Sequence, residues 1–309
     1  MWESLARHSR SAELHVLCLT PACEVILNRL GLPGVHTYSL AAMESAFPAL
    51  EKVKALRTDL EYYFTLTPAL PLFLLDRIPS IERITYVDGD LFFFSDPKPV
   101  FDELGEASVG IIEHRFPDTL KSLERYGRFN VGWLTFRNDE RARACLRHWH
   151  EQCLEWCCLR VEDGRFADQK YLDDWPERVA GVKVLQHRGA NVAPWNLGRF
   201  PLEERGDVLL VGGDPLLFFH AHGFQPECPG ESEVLNLERY GVARTPILLR
   251  NIYEPYSRAL ASATGRVAPS LVEVLLREGR PNEVSVRAAR LRAKAAERAS
   301  VTLERQPKS

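Results

Sequence analysis

Two carboxylates separated by one glycine close an apolar run: Ile84-Thr85-Tyr86-Val87-Asp88-Gly89-Asp90-Leu91-Phe92-Phe93-Phe94. Residues two apart on an extended backbone point to one side, so Asp88 and Asp90 face the same way. Acids so placed repel each other unless a cation lies between them. A hard divalent ion, Mg²⁺ or Mn²⁺, takes oxygen ligands and keeps positions open for phosphate oxygens. Gly89 leaves room for a ligand to approach the backbone. A neutral imidazole can complete such a site. His220 ends the apolar run Leu216-Leu217-Phe218-Phe219, and His222 lies on the same side of the chain and competes for the role. Each feature also has an ordinary explanation. Asp-x-Asp is common in solvated turns, and Asp168 before Gln169 could simply cap a helix.

These residues need a scaffold to bring them together, and the pattern of elements predicts an α/β fold. Strands are expected at Leu14–Leu19, Val35–Leu40, Arg83–Asp88, Ser108–Ile112, Val131–Phe136, Val182–Gln186, Val208–Val211 and Leu216–His220. Helices are expected over the first dozen residues, over Ala41–Phe64 with a break near Pro48, from Thr67-Pro68 to about Asp76, and over Asn138–Arg160 with Asn138 as N-cap. Strands alternating with helices predict a mostly parallel sheet, and short connections later in the chain predict mixed pairing there. Ligands of open α/β sheets bind at the C-terminal ends of strands, where Asp88 falls. No internal repeat is visible.

Composition narrows the classes. The 309 residues carry 39 Lys and Arg against 42 Asp and Glu, a net charge of −3 that gives no support to a nucleic-acid partner. No apolar run approaches the roughly 20 residues of a membrane span, and Met1-Trp2-Glu3-Ser4-Leu5 does not read as a signal peptide. Seven cysteines, an odd number, point to reduced thiols and a cytoplasmic setting. Cys153 and Cys157 are one helical turn apart, but they share an apolar stripe with Leu146, Trp149 and Trp156, so they read as core rather than metal ligands. From Arg277 to Ser309 there are nine Lys or Arg and four Glu, a net of +5. This basic, Ala-rich segment has two readings: first a solvated or frayed tail, and second a basic surface helix that attracts anionic lipid at the inner membrane face, against which its thin apolar face counts.

Five motifs in order give the chain a resemblance to the GT-A glycosyltransferases, closest to the family 8 type, over about Leu5 to Gly223. Tyr86-Val87-Asp88-Gly89-Asp90 resembles the family's metal-binding Asp-x-Asp. Phe129-Asn130-Val131-Gly132 resembles its Phe-Asn-x-Gly strand beside the bound sugar. Asp168-Gln169-Lys170 resembles its Asp-Gln-Asp with the third position changed. Pro194-Trp195-Asn196 is similar to its Trp-Asn segment, and His220-Ala221-His222-Gly223 to its His-x-x-Gly. The resemblance implies a Rossmann-like mixed sheet flanked by helices over residues 1–255, followed by a helical basic extension over 256–309. It implies transfer of a sugar from a nucleotide-diphosphate donor, a UDP-sugar, to a hydroxyl on a saccharide or glycolipid, with retention of configuration. It also implies Mn²⁺ or Mg²⁺ held by Asp88, Asp90 and His220. Asn130, Asp168 and Gln169 are then the catalytic candidates, and Gly89, Gly132, Trp195, Asn196 and Gly223 join Asp88 and Asp90 around the donor.

Two departures accompany the resemblance. The family's first nucleotide-binding strand has no counterpart before the helix at Met1–His8, so the expectation is a missing first strand. The family's basic residue after His-x-x-Gly is also absent, since Gly223 leads into Phe224-Gln225-Pro226-Glu227-Cys228. Lys54, Arg57, Arg115 and Lys170 are the candidates to replace it. Two alternatives follow: a catalytically inactive nucleotide-sugar-binding module, and a sugar-phosphate nucleotidyltransferase. The latter needs a glycine-rich phosphate loop that the N-terminal region lacks.

Overall fold

The computed structural model describes residues 1–226 and 233–277. The strands are β1 (Leu14–Cys18), β2 (Val35–Ser39), β3 (Arg83–Val87), β4 (Leu91–Phe93), β5 (Val109–Glu113), β6 (Phe129–Arg137), β7 (Val182–Leu185), β8 (Leu202–Arg205), β9 (Val208–Val211), β10 (Asp214–Pro215) and β11 (Phe218–His220). The chain divides into two compact units, one of Met1–Ala12 with Leu40–His222, the other of Glu13–Ser39 with Gly223–Ser309. The basic segment, described only as far as Arg277, otherwise lies outside the described residues.

The first unit is built on a sheet of order β3-β6-β5-β7. β6 runs antiparallel to both its neighbours, and only β5 and β7 are parallel. The sheet is therefore mixed at its centre, where alternation of strands with helices predicts parallel pairing. The reason lies in the connections: β5 returns to β6 through a 3-10 segment, Asp118–Tyr126, that does not cross the sheet as a packed helix. One face packs on helices Asp59–Arg77 and Glu140–Glu155 around Leu72, Leu75, Phe129, Leu134, Phe136, Leu146, Trp149 and Trp175. The other face carries Phe93, Leu104, Ile112, Trp133, Leu217 and Phe218. Cys145, Cys153 and Cys157 are buried in the first of these cores, as their helical stripe predicts.

β6 changes face in mid-strand. Phe129 and Val131 share a core with Leu134 and Phe136, an odd-to-even switch that no regular strand allows. The register jumps from Ile111↔Leu134 to Ile112↔Asn130, so the extra residues form a bulge. That bulge turns Asn130 and Gly132 to the other side of the sheet from Phe129 and Val131, beside the end of β3.

Three sequence expectations shift. Helix Asp59–Arg77 is continuous, with Pro68 and Pro71 inside it, where Thr67-Pro68 predicts a fresh start. A capping box begins it at Thr58: the Glu61 N–H donates to Thr58 Oγ1 (3.3 Å) and the Thr58 N–H to Glu61 Oε2 (3.0 Å). Burial of Tyr62, Leu66, Ala69, Leu72, Phe73 and Leu75 outweighs the proline penalty. The helix Glu140–Glu155 is capped by Asp139, because the Asn138 amide is committed to Ile81 O (2.7 Å). Asp168 and Gln169 lead into a 3-10 turn, Lys170–Asp174, rather than an α-helix.

In the second unit, β1, helix Pro21–Leu30 and β2 form a parallel βαβ unit with His15 opposite His36. Helix Glu254–Arg277 meets helix Pro21–Leu30 through Arg29, whose Nη1 lies 2.5 Å from Glu273 Oε2.

Candidate functional site

The first unit brings residues from five places in the chain to one spot. β3 ends at Val87, and the Asp88 N–H donates to Gly132 O (3.2 Å), which fixes the acidic turn against β6. β4 pairs antiparallel with β11, placing Leu91 opposite His220, and the Ala221 N–H donates to Asp90 O (3.0 Å). The His220 N–H donates to Val192 O (2.7 Å). The result sets His220 Nε2 3.1 Å from Asp90 Oδ1 and 3.6 Å from Asp88 Oδ2.

A chain of hydrogen bonds orients that imidazole. His220 Nδ1 donates to Asn130 Oδ1 (3.3 Å), Asn130 Nδ2 to His114 Nε2 (3.4 Å), and His114 Nδ1 to Arg128 O (3.2 Å). In this arrangement Nε2 is the atom that faces the two acids: protonated, it donates to Asp90, and stripped of that proton it turns a lone pair to the space a cation would take. Burial holds His114 at about 3, so it stays neutral as the acceptor the chain requires. Trp195 packs edge-on against His220 (5.0 Å between ring centres) and His222 (5.4 Å), and its Nε1 donates to His114 O (3.0 Å).

Gly132 is what lets this network close. A Cβ there would lie 2.7 Å from Asn130 Oδ1 and 2.7 Å from His220 Cε1, closer than real Cβ atoms approach. Any side chain at position 132 would push the imidazole or the amide aside. Gly89, by contrast, is exposed, and a Cβ there would meet nothing within 4 Å.

The charges are strongly coupled. Burial pushes the Asp88 carboxyl up against the pull of His220. Asp90 ends below its ordinary value, because the His220 hydrogen bond and charge outweigh burial. His220 is raised: burial disfavours its charged form, but Asp90 and Asp88 more than compensate. Such an acid–imidazole cluster fits a divalent cation. Ligand atoms of Asp90, His220 and His222 lie within 4.8 Å of one another, with Asp88 adjacent, and carboxylates with imidazoles suit Mn²⁺ as a mixed oxygen and nitrogen set.

No family model matches the chain. It is 32% identical over 259 residues to the uncharacterized protein YfnD of Bacillus subtilis (strain 168), covering 83% of this chain and 82% of that protein. The chain belongs to the YfnD family. The uncharacterized protein YfnF of the same organism is also 32% identical, over 233 residues that cover 73% of this chain and 76% of YfnF. Among solved structures the chain is similar to mouse xyloside xylosyltransferase 1 in its apo form, with a TM-score of 0.44 and 16% identity, covering 72% of this chain and 90% of that one. It is also similar to a glycosyltransferase involved in the glycosylation of the major capsid of PBCV-1, with a TM-score of 0.38 and 12% identity, covering 67% of this chain and 93% of that one.

The remaining expected site residues of this YfnD-family chain take distinct places. Asp168 is 3% exposed, and burial pushes its carboxyl up to about 7 although a Thr67 side-chain hydrogen bond opposes the shift. Its Oδ2 is buried and accepts no hydrogen bond. Gln169 turns its amide to Tyr126 O (3.1 Å). Asn196 spends its amide on the backbone, donating to His114 O (2.9 Å) and Asn191 O (3.0 Å) and accepting from the Ala193 N–H (2.9 Å). Gly223 lies in the second unit, where φ is +68° and a Cβ would meet Asn236 Nδ2 at 2.5 Å. The four basic candidates all have internal partners: Lys54 with Glu44 (2.8 Å), Arg57 with Thr65 and Leu154 O, Arg115 with Ala190 O (3.0 Å), and Lys170 with Asp173 (2.6 Å).

Sequence reasoning misses His114 and Asn191. His114 sits after the apolar strand β5 with no motif of its own. Asn191 is fully buried at φ +56°, and neither atom of its side-chain amide has a hydrogen-bond partner. Its left-handed backbone, tolerated mainly by Asn, Asp and Gly, is the one local hint.

Among the described residues no helix is long and apolar enough to cross a membrane.

Proposed function

We propose that this chain is a metal-dependent glycosyltransferase that moves a sugar from a nucleotide-diphosphate donor, UDP-linked, to a hydroxyl acceptor with retention. The observation that carries this reading is the meeting of Asp88, Asp90 and His220 within 3.1 and 3.6 Å, from two strand ends far apart in sequence. Asp88, Asp90 and His220 would hold the cation, with His222 in reach. Bound there, a divalent ion supplies positive charge against the diphosphate that leaves. The imidazole content favours Mn²⁺ over Mg²⁺.

The chain's own groups do the positioning. Asn130, held between His220 and His114, orients the donor sugar beside the imidazole. Gln169 and the buried Asp168 line the approach to the reacting carbon in the reading taken from the motif resemblance. Holding donor and acceptor in register is the main source of rate in this scheme. Retention rests on the resemblance, with the leaving phosphate oxygen accepting the acceptor's proton. Nothing in the step needs an exposed carboxylate base, which agrees with the burial of Asp168.

Calorimetry with UDP and Mn²⁺ tests the reading. Binding of UDP that requires the metal, lost in Asp88→Ala, is the expected result, followed by metal-dependent hydrolysis of one nucleotide sugar from a panel. Absence of metal-dependent UDP binding overturns the proposal. Binding without any turnover supports the inactive binding module instead.

A further inference from the structure

A second group of metal-ligating side chains lies in the other compact unit. β1 and β2 pair in parallel with His15 opposite His36, and Glu13 precedes His15 by two residues, so all three side chains rise from one face. Glu13 Oε2 lies 3.8 Å from His15 Nε2 and 3.7 Å from His36 Nε2. The three ligand atoms lie within 4.8 Å of one another. The two rings stack, with centres 4.8 Å apart and planes 19° from parallel.

We propose that Glu13, His15 and His36 form a second cation site, selective for a borderline divalent ion such as Zn²⁺, that clips β1 to β2. Two imidazole nitrogens with one carboxylate oxygen suit Zn²⁺, and three protein ligands leave a fourth position for solvent. His15 is prepared for the role. Its Nδ1 lies 3.0 Å from the Tyr38 hydroxyl. An Nδ1–H donated to that oxygen leaves the Nε2 lone pair directed to Glu13, the outer-shell arrangement that fixes a ligating imidazole.

Zn–N bonds of 2.0–2.1 Å bring two nitrogens of a tetrahedral site to about 3.4 Å apart, so the ion must draw the rings together. Two of the three side chains are free to make that move: relative exposure is 47% for His36 and 65% for Glu13, against 14% for His15. His15 is thus the fixed ligand, and the other two close on it. A two-stranded pair is marginal by itself, so a metal cross-link adds cohesion where the backbone ladder supplies little. The site shares no residue with the acid–imidazole cluster of the first unit and does not depend on the function proposed for it.

The test uses the full chain, stripped of metal and titrated with ZnCl₂ by calorimetry, then with Co²⁺ while the visible absorption of tetrahedral cobalt is followed. Wild type and His220→Ala are expected to retain the Glu13–His15–His36 equivalent. His36→Ala and Glu13→Gln are each expected to lose it, and Tyr38→Phe to keep it with affinity about 10–100-fold weaker. Glu13→Gln changes an exposed side chain without altering its shape, so the test stands even if His36→Ala folds poorly. Equal Zn²⁺ stoichiometry in wild type, His36→Ala and Glu13→Gln overturns the proposal, as does loss of every equivalent in His220→Ala.

Discussion

The two acid–imidazole clusters use the same functional groups but are held in opposite ways. In the first unit His220 is 3% exposed and fixed by Asn130, His114, Trp195 and the backbone of Val192. In the second unit the register of two parallel strands aligns His15 with His36, and a single tyrosine hydroxyl orients one ring. Burial makes the first site rigid and intolerant of change, because every displaced atom meets another. Exposure makes the second adaptable, so that the ion itself must supply the order. The same chemistry can therefore be preorganised by a core or assembled on demand at a surface.

The sharpest way to break the contrast is Gly132→Ala. The added methyl collides with both Asn130 and His220, so metal-dependent UDP binding should disappear, and stability should fall by about 1–3 kcal/mol. Calorimetry and urea denaturation measure the two effects, while the Zn²⁺ equivalent assigned to Glu13 should survive. Retained UDP affinity in this variant would show that the packed network does not set the site.

The next effect is on pH dependence. The folded Asp168 carboxyl keeps its proton up to about 7, whereas the unfolded one releases it in the ordinary carboxylate range. Between those values the folded state binds more protons, so this group's contribution to stability declines as pH rises, then levels off above about 7. Asp168→Asn removes the decline. The stability of the variant relative to wild type should climb by about 4 kcal/mol from about pH 4 to pH 7. Denaturation curves of both proteins across that range give the difference directly, and parallel pH profiles would contradict the burial argument.

Trp195→Phe is gentler. It deletes the hydrogen bond to His114 O and part of the edge contact with two imidazoles, for an expected loss of about 1–3 kcal/mol. A thermal melt reads this, and UDP affinity should weaken with it if the tryptophan steadies His220. The smallest effect is expected at the exposed cluster. In metal-free buffer Glu13→Gln should change stability by less than about 0.5 kcal/mol, since the carboxylate is 65% exposed. A larger loss would mean that this carboxylate supports the strands without any ion.

Much of the scaffold can be read locally. Apolar runs locate β1, β2, β3, β9 and most of β6, and the stripe through Leu146, Trp149 and Cys153 identifies the helix that packs on the sheet. The short strands β4, β8 and β10 escape notice, because two to four residues carry too little pattern. The continuity of Asp59–Arg77 through two prolines also escapes, since the burial that offsets them is tertiary. For the site, Asp88, Asp90, Asn130 and His220 do come together, as the motifs imply. Trp195 and Asn196, expected around the donor, direct polar atoms to His114 O and the nearby backbone, contacts that no motif announces.

The amino-acid sequence by itself determined which groups were available: two acids one glycine apart, an imidazole ending an apolar strand, an amide in a strand of bulky residues. It determined the α/β alternation as well, because periodicity and capping act over a few residues. The tertiary structure decided that Gly132 must be bare, that His114 closes the relay to His220, and that His222 reaches the same ligand cluster. Those outcomes depend on a mid-strand bulge and on pairing between segments some 130 residues apart, β4 with β11. Local preference has no access to either, because distances across a packed core are set by the collective fit of both faces of the sheet.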